Sequence, residues 1–274
     1  FRSRYAHMLD RNFNGRRVQI IGSYRRLDEL TEVLEKFSYR VLKKDCLDLP
    51  DKTYMKRIVE LTEEQLKMYA TMKQAALAES KGKIASTTNA MTQLMRMQQI
   101  VCGHVKMDDG SMVEIKSNRI NELMTALEEV DGKVIIWANY IYDIEKIIQA
   151  LKKTYGEDST VAYYGAVDTN TRQKNIVLYQ DENSPVRFFV GNTQTGGYGI
   201  TLTAANTVIY YSNSYDLEKR LQSEDRAHRI GQKNIVTYID LMTEKTVDEK
   251  IVKALRNKIS IANEIMGEEL GDWI

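Results

Sequence analysis

The densest cluster of chemically capable side chains is the run QSEDRAHRIGQ at residues 222–232. If the run is helical, Gln222, Arg226 and Arg229 recur at i, i+4 and i+7 and share one face. A guanidinium keeps its charge and offers a rigid fork of donors that matches phosphate oxygens. Such a face suits an oxyanion, and Asp225, four residues before Arg229, could hold that arginine in place. Spacing alone favours a plainer interpretation, a surface helix held by salt bridges.

A second candidate is the glycine-rich run GNTQTGGYGITL at residues 191–202, which directly follows an apolar segment at 186–190. Glycines permit positive φ and a close backbone approach, so backbone N–H groups can line an anion site. A glycine-rich loop after a strand is a weak signal by itself. This loop lies one strand before the arginine-bearing run, so both could border the same edge of a sheet.

The segments that must position these residues alternate short apolar strands with amphipathic helices from about residue 118 onward. This alternation predicts an α/β fold in which helices cover both faces of a parallel sheet. In such sheets, ligands bind beyond the carboxyl ends of the strands. The predicted strands are 133–137, 160–164, 186–190, 207–211 and 235–241, and the predicted helices are 118–129, 141–153, 169–180, 216–229 and 246–263. Gly231 would end the arginine-bearing helix.

The part before residue 118 has a different pattern. Residues 25–37 have helical apolar spacing, and residues 55–61 are typical of a short strand. Residues 62–65 (TEEQ) have the form of a capping box ahead of a helix. A second helix at 89–101 is rich in methionine, which favours adaptable core over a cofactor site. The chain begins on a helix-like stretch with no strand before it, and we expect a fragment of a longer protein.

Bulk composition is that of a soluble globular domain, with 274 residues, 43% hydrophobic and 28% charged. The net charge is +1, but residues 1–57 hold 14 Lys and Arg against 8 Asp and Glu. A phosphate-facing surface and a solvated charged face fit this excess equally well. Cys46 and Cys102 are far apart in sequence, so a disulfide framework is not expected and a reducing compartment is favoured. Cys102 and His104 are too few ligands for a zinc site. Without a signal peptide or an apolar membrane span, a cytoplasmic location is expected, in a bacterial host or a phage-infected cell.

Taken together, the motifs resemble those of the Swi/Snf-type helicase-like ATPases, a branch of helicase superfamily two. DRAHRIGQ at 225–232 is close to that family's motif VI, and residues 193–202 resemble motif V. Residues 133–140 (KVIIWANY) resemble motif IV, and residues 163–165 with the following Arg172 resemble the next conserved block. The runs at 39–44 and 49–52 resemble the family's entry into its second lobe. The resemblance covers nearly the whole chain.

This resemblance implies a RecA-like C-terminal lobe and a division into three units. They are the end of the first lobe with the inter-lobe linker at 1–57, a helical protrusion of the second lobe at 58–117, and the RecA-like lobe with a C-terminal brace helix at 118–274. Gln194 and Thr201 stand where the family often has Lys and Asn. Residues 212–219 lack the usual Trp-Asn-Pro-type run. That shortened form resembles compact phage or prophage members more than eukaryotic remodellers.

The resemblance also implies a chemistry. In this family ATP lies between two RecA-like lobes, and the first lobe supplies the phosphate loop, its Lys and the acidic residues for Mg²⁺. No G-x-x-x-x-G-K-[ST] pattern occurs in this sequence. The resemblance makes Arg226 and Arg229 arginine fingers for the transferring phosphoryl group, with Gln222, Asp225 and Gly199 at the nucleotide. It places DNA, double-stranded or branched, against Asn139, Gly165, Thr193, Gly196 and Gly197.

Three functions are compatible with these residues. The first is an ATP-driven translocase that tracks duplex DNA through its phosphates and needs the missing first lobe to hydrolyse ATP. The second is a strand-separating helicase on branched or RNA-containing substrates, which the sequence does not distinguish from the first. The third is a non-enzymatic DNA-binding or scaffold module. Arg226 and Arg229 argue against that third function, because a scaffold needs neither.

Overall fold

The computed structural model describes residues 1–13, 16–38, 46–81, 87–107, 109–196 and 199–266. The strands there are β1 (Ala6–Phe13), β2 (Arg16–Tyr24), β3 (Lys52–Ile58), β4 (His104–Lys106), β5 (Met112–Glu114), β6 (Lys133–Trp137), β7 (Thr160–Tyr163), β8 (Phe188–Gly191), β9 (Ala205–Tyr210) and β10 (Val236–Met242). The helices are α1 (Arg2–Tyr5), α2 (Leu27–Glu35), α3 (Glu63–Lys81), α4 (Thr87–Cys102), α5 (Arg119–Glu128), α6 (Ile141–Tyr155), α7 (Thr169–Gln180), α8 (Thr193–Gly196), α9 (Leu217–Ala227) and α10 (Val247–Met266).

Six strands form one parallel sheet in the order β3-β10-β9-β6-β8-β7. Side chains alternate across it, as the pleat requires. On β6, Val134 and Ile136 pack under α5 and α6, whereas Ile135 and Trp137 face the side covered by α7 and α9. All four side chains are fully buried, and each such burial contributes roughly 1.5–3 kcal/mol. The predicted α/β fold with helices on both faces is confirmed.

Strand β3 forms one edge of this sheet. It pairs with β10 along its whole length, from Lys52 opposite Val236 to Ile58 opposite Met242. Residues 52–57 therefore belong to the sheet through this pairing, although the sequence placed them with the linker and predicted a strand only at 55–61. The remaining unit boundaries stay predictions.

The N-terminal segment is mostly an antiparallel hairpin of β1 and β2. The helix-like start expected from the sequence is confined to Arg2–Tyr5. The missed signal is the Asn14-Gly15 pair, a dipeptide typical of the turn between hairpin strands. Residues 39–45, which include the predicted entry into the second lobe, lie outside the described residues.

Helices α3 and α4 and the small β4–β5 hairpin lie in the segment that the resemblance assigns to a protrusion, and we use that name for these elements. The predicted capping box at the start of α3 is confirmed, because the N–H of Gln65 donates to Thr62 Oγ1 and the N–H of Thr62 donates to Gln65 Oε1. Met97 is buried, as expected of a core methionine, but Met95 is half exposed. Helix α10 packs its first turns, through Val247 and neighbouring residues, against α3 and α4. Within the described ranges, no helix is long and apolar enough to cross a bilayer.

Candidate functional site

One open cleft of about 320 Å³ collects the residues of the arginine-bearing run, and we call it the arginine cleft. Its walls are Leu47, Leu49, Gln222, Asp225, Arg226, Arg229 and Ile230. Gln222, Asp225 and Arg226 come from the last two turns of α9, and Arg229 comes from the turn that follows. The structure thus brings together four of the five residues that the resemblance assigned to nucleotide chemistry.

The sequence predicted that Gln222, Arg226 and Arg229 meet on one face of a single helix, and the structure brings them together in another way. Helix α9 ends at Ala227, so Arg229 lies outside the helix that the sequence extended to residue 229. The side-chain amide of Gln232 donates to the carbonyl of Ala227 and satisfies the helix end. His228 Nε2 lies 2.7 Å from the carbonyl oxygen of Pro50, which fixes the exit of the chain. The turn, rather than the helix, therefore aims Arg229 into the cleft.

The two arginines differ in environment. Arg226 is only 9% exposed, and its Nη1 lies 3.5 Å from the carbonyl oxygen of Ile200, whereas Arg229 is exposed. Burial lowers the pKa of Arg226, the neighbouring charge of Arg229 lowers it further, and Asp225 opposes both. Two like charges held together in a partly desolvated cleft are relieved by a bound anion. Such a cleft can accommodate an oxyanion, and the fork of donors on each guanidinium group matches phosphate oxygens.

A buried polar cluster holds α9 in place, and we call it the α9 anchor. Arg220 Nε donates to Glu224 Oε1 over 2.8 Å, one helical turn away. Glu224 Oε2 also accepts from Tyr54 of β3 over 2.8 Å, and Arg220 binds Asp240 of β10. The Arg220 guanidinium lies 3.4 Å from the centroid of the Tyr210 ring. The sequence analysis missed this cluster, although the i, i+4 spacing of Arg220 and Glu224 was a local signal for it.

The residues assigned to DNA lie at the carboxyl ends of three neighbouring strands. Asn139 follows β6, Gly165 follows β7 and Thr193 follows β8, and these strands are adjacent in the sheet. The side-chain amide of Asn192 donates to the carbonyls of Ala138 and Asn139 at 3.2 and 2.9 Å. The Asn192 side chain thereby links the segment that follows β8 to the segment that follows β6. We call Asn139, Gly165 and Thr193 the strand edge.

The glycine-rich run is less well defined as a site. Gly196 ends the four-residue helix α8, and Gly197 lies outside the described residues. Gly199 has a φ of 63° and open space where a Cβ would stand. It does not line the arginine cleft, but its neighbour Ile200 contacts Arg226 there. Residues 191–202 therefore lead along the chain from Thr193 of the strand edge to Ile200 beside the arginine cleft.

A metal site would need several carboxylate, imidazole or thiolate ligands close together. Across the described part of the chain, no three His, Cys, Asp or Glu side chains are grouped so as to hold a metal ion. Asp225, the acidic residue of the arginine cleft, lines it together with Arg226 and Arg229.

Comparison with known proteins agrees with this geometry. Residues 2–107 match the SNF2-related domain, and residues 116–231 match the helicase conserved C-terminal domain. YwqA of Bacillus subtilis, named as an ATP-dependent helicase/translocase, is 28% identical over 91% of this chain and 28% of its own length. The ATP-dependent helicase fft2 of Schizosaccharomyces pombe is 34% identical over 56% of this chain and 12% of its own length. The Sulfolobus solfataricus SWI2/SNF2 ATPase core in complex with dsDNA superimposes with a TM-score of 0.63 and 27% identity, over 87% of this chain and 52% of that one.

The fold and the matches define a superfamily-two helicase C-terminal RecA-like lobe. The chain carries the SNF2-related domain and the helicase conserved C-terminal domain of the Swi/Snf family, and the resemblance read from its motifs is confirmed. It spans about a quarter or less of the length of the two curated relatives named above. A phage origin stays a prediction.

Proposed function

We propose that this chain is the C-terminal lobe of an ATP-driven DNA translocase and supplies the arginine fingers of its ATPase site. The observation that carries the proposal is the arginine cleft, where a buried Arg226 and an exposed Arg229 meet Gln222 and Asp225. The family membership supports ATP as the anion, because the relatives are named as ATP-dependent.

In this proposal ATP is bound mainly by the first lobe, which also holds Mg²⁺, and its terminal phosphates enter the arginine cleft when the lobes close. Arg226 is held by α9 and the α9 anchor, so it needs little rearrangement to meet the phosphoryl group. Arg229, on the turn, is free to follow the other lobe. Preorganised cations aimed at developing negative charge are an effective way to lower the barrier for phosphoryl transfer.

The strand edge would carry the DNA backbone. Its side chains are neutral donors, the Asn139 amide and the Thr193 hydroxyl, beside an exposed Gly165 that lets a phosphate approach closely. Contacts of this kind position DNA without reading its sequence. The partners are therefore double-stranded or branched DNA and the first lobe of the same protein, in a cytoplasmic setting.

The test is the steady-state ATPase rate of the longer protein that includes the first lobe, with and without double-stranded DNA. Arg226→Ala and Arg229→Ala should each lower the DNA-stimulated rate, by roughly 10³–10⁵-fold for a full arginine finger, while DNA affinity changes little. Lys219→Ala, on the exposed side of the same helix, is the matched control and should keep the wild-type rate. An unchanged rate in both arginine variants would overturn the proposal.

Two further measurements separate the alternatives. The isolated chain should show no turnover, since most nucleotide contacts lie in the first lobe, and turnover by this chain alone would contradict the two-lobe site. A strand-displacement assay on branched DNA distinguishes translocation from strand separation. DNA binding without ATPase activity in the longer protein would instead indicate the non-enzymatic module.

A further inference from the structure

We infer that a continuous line of hydrogen bonds, routed through the protrusion, transmits DNA contact at the strand edge to the arginine-bearing helix. We call this line the relay. Its members are Tyr140, Gln98, Asn213, Arg220 and Glu224, and it starts next to Asn139 of the strand edge. The inference rests on the proposed function, and it assigns positioning roles to residues that touch neither nucleotide nor DNA.

The relay begins next to the strand edge. Tyr140 follows Asn139 directly in the chain, so a shift of Asn139 on DNA moves the backbone of Tyr140. The Tyr140 hydroxyl donates in turn to Gln98 Oε1 over 2.8 Å. Gln98 belongs to α4 of the protrusion, and Gln98 Nε2 donates to the carbonyl of Asn213 over 2.7 Å. Gln98 of the protrusion therefore joins Tyr140, which follows β6, to Asn213, which follows β9.

From Asn213 the relay enters the α9 anchor. The Asn213 side chain donates to Asp240 and accepts from Arg220 Nη1, each over 2.7 Å. Arg220 then binds Glu224, which lies two residues before Arg226 on the same helix. Gln98, Asn213 and these ion-paired residues are all buried, so water does not replace the bonds. A displacement of Asn213 therefore acts directly on the orientation of α9.

The side-chain amide of Gln98 has one orientation that satisfies both of its hydrogen-bond partners. Its carbonyl oxygen accepts from Tyr140 and its NH2 group donates to a backbone carbonyl, so a reversed amide would set two carbonyl oxygens against each other. A second link runs beside it, because the backbone N–H of Asn139 donates to Ser212 Oγ, one residue before Asn213. A DNA phosphate bound by the Asn139 side chain would act on both links, through the backbone to Tyr140 and through the N–H of Asn139 to Ser212.

A merely structural role for these residues makes a different prediction. If the cluster only stabilised the fold, removing a link would lower stability and would lower basal and DNA-stimulated ATPase together. A relay instead affects the ratio of the two rates. Tyr140→Phe and Gln98→Met each remove a link while nearly preserving side-chain volume, and neither residue belongs to the cleft or the strand edge.

The experiment uses the longer protein with its first lobe and measures the ATPase rate without and with saturating double-stranded DNA, the DNA Kd and the Tm. Both variants should lower the DNA-stimulation ratio by about three- to tenfold, as expected for loss of a coupling residue, with basal rate and DNA Kd within about twofold of wild type. Combining them should lower the ratio little further, because both cut the same line. Tyr142→Phe, two residues along α6 and outside the relay, is the matched control and should keep the wild-type ratio.

An unchanged ratio in Tyr140→Phe and Gln98→Met would overturn the relay and leave the proposed function standing, provided that wild type is DNA-stimulated and Arg226→Ala is inactive. Proportional loss of basal and stimulated rates together with a lower Tm would also overturn it, in favour of a structural role. A wild type that DNA does not stimulate, or an active Arg226→Ala, would instead contradict the proposed function itself.

Discussion

The guanidinium of Arg220 binds both carboxylate oxygens of Asp240 and so joins helix α9 to strand β10 inside the molecule. Both residues are buried, and Glu224 supplies a second negative charge. Removing one partner of a buried ion pair leaves charges without compensation, which is far more costly than the pair itself is stabilising. The position of the arginine cleft therefore depends on the α9 anchor, whose buried residues do not line the cleft.

Arg220→Met should lower the free energy of unfolding by about 3–5 kcal/mol, because Glu224 and Asp240 would remain buried without their cation. Urea denaturation of the isolated chain, followed by circular dichroism, measures this change. Lys219→Met, next to it on the exposed side of α9, should change the same quantity by less than about 0.5 kcal/mol. A cost below about 1 kcal/mol for Arg220→Met would mean that the cluster is hydrated in solution.

Arg226→Met provides the opposite case on the same helix. Burial and the charge of Arg229 lower the pKa of Arg226, so its cation is held at a cost in the folded state. The substitution should leave the Tm of the isolated chain unchanged or higher, while abolishing ATPase activity in the longer protein. Side-by-side thermal unfolding of Arg226→Met and Arg220→Met tests the contrast. Equal destabilisation by both would refute it.

Gly191, the last residue of β8, should not tolerate a larger side chain. A Cβ there would lie 2.5 Å from the carbonyl oxygen of Tyr163 and 3.1 Å from the Trp137 ring. Gly191→Ala should therefore cost about 1–3 kcal/mol, the usual penalty for forcing atoms into a packed interior. Gly165→Ala is the control, since nothing lies within 4 Å of its Cβ position. Comparable losses in urea unfolding for the two variants would contradict the packing at β8.

Asp143 should give the isolated chain a pH-dependent stability. Burial raises the pKa of this carboxyl, although His104, 3.0 Å away, opposes the shift. The folded state then binds the proton more tightly than the unfolded state, so stability is present below the ordinary carboxyl pKa of about 3.9 and is lost as pH rises through the folded value. Asp143→Asn should flatten this decline and raise the free energy of unfolding at pH 7. Parallel pH profiles for wild type and Asp143→Asn would show that the carboxyl is not buried.

The sheet was largely predictable from sequence, for a physical reason. Parallel strands covered on both faces are nearly continuously apolar, and the runs VIIW of β6 and FFVG of β8 show this directly. Strand β3 was placed three residues late, at 55–61, because an edge strand is half exposed and Met55 and Ile58 face solvent. The register of β3 is set by its pairing with β10, a strand far along the chain, and a local sequence pattern does not show that pairing.

The site was predictable in residue type but not in geometry. Arg226 and Arg229 were identified from their chemistry, yet the end of α9 depends on Gln232 and on Pro50, which is 178 residues from His228 in sequence. The pairing of Arg220 with Asp240 likewise depends on how a helix lies over a strand. Such contacts between elements distant along the chain leave no periodic trace in sequence.

The edge strand β3 has a consequence for biosynthesis. It emerges from the ribosome before every other strand of the sheet, yet its partner β10 follows about 180 residues later. At about 5–20 residues per second, β3 waits roughly 10–40 s for that partner, and Tyr54 waits with it for Glu224. The arginine-bearing helix thus acquires its full set of anchoring bonds only when synthesis of the lobe is nearly finished.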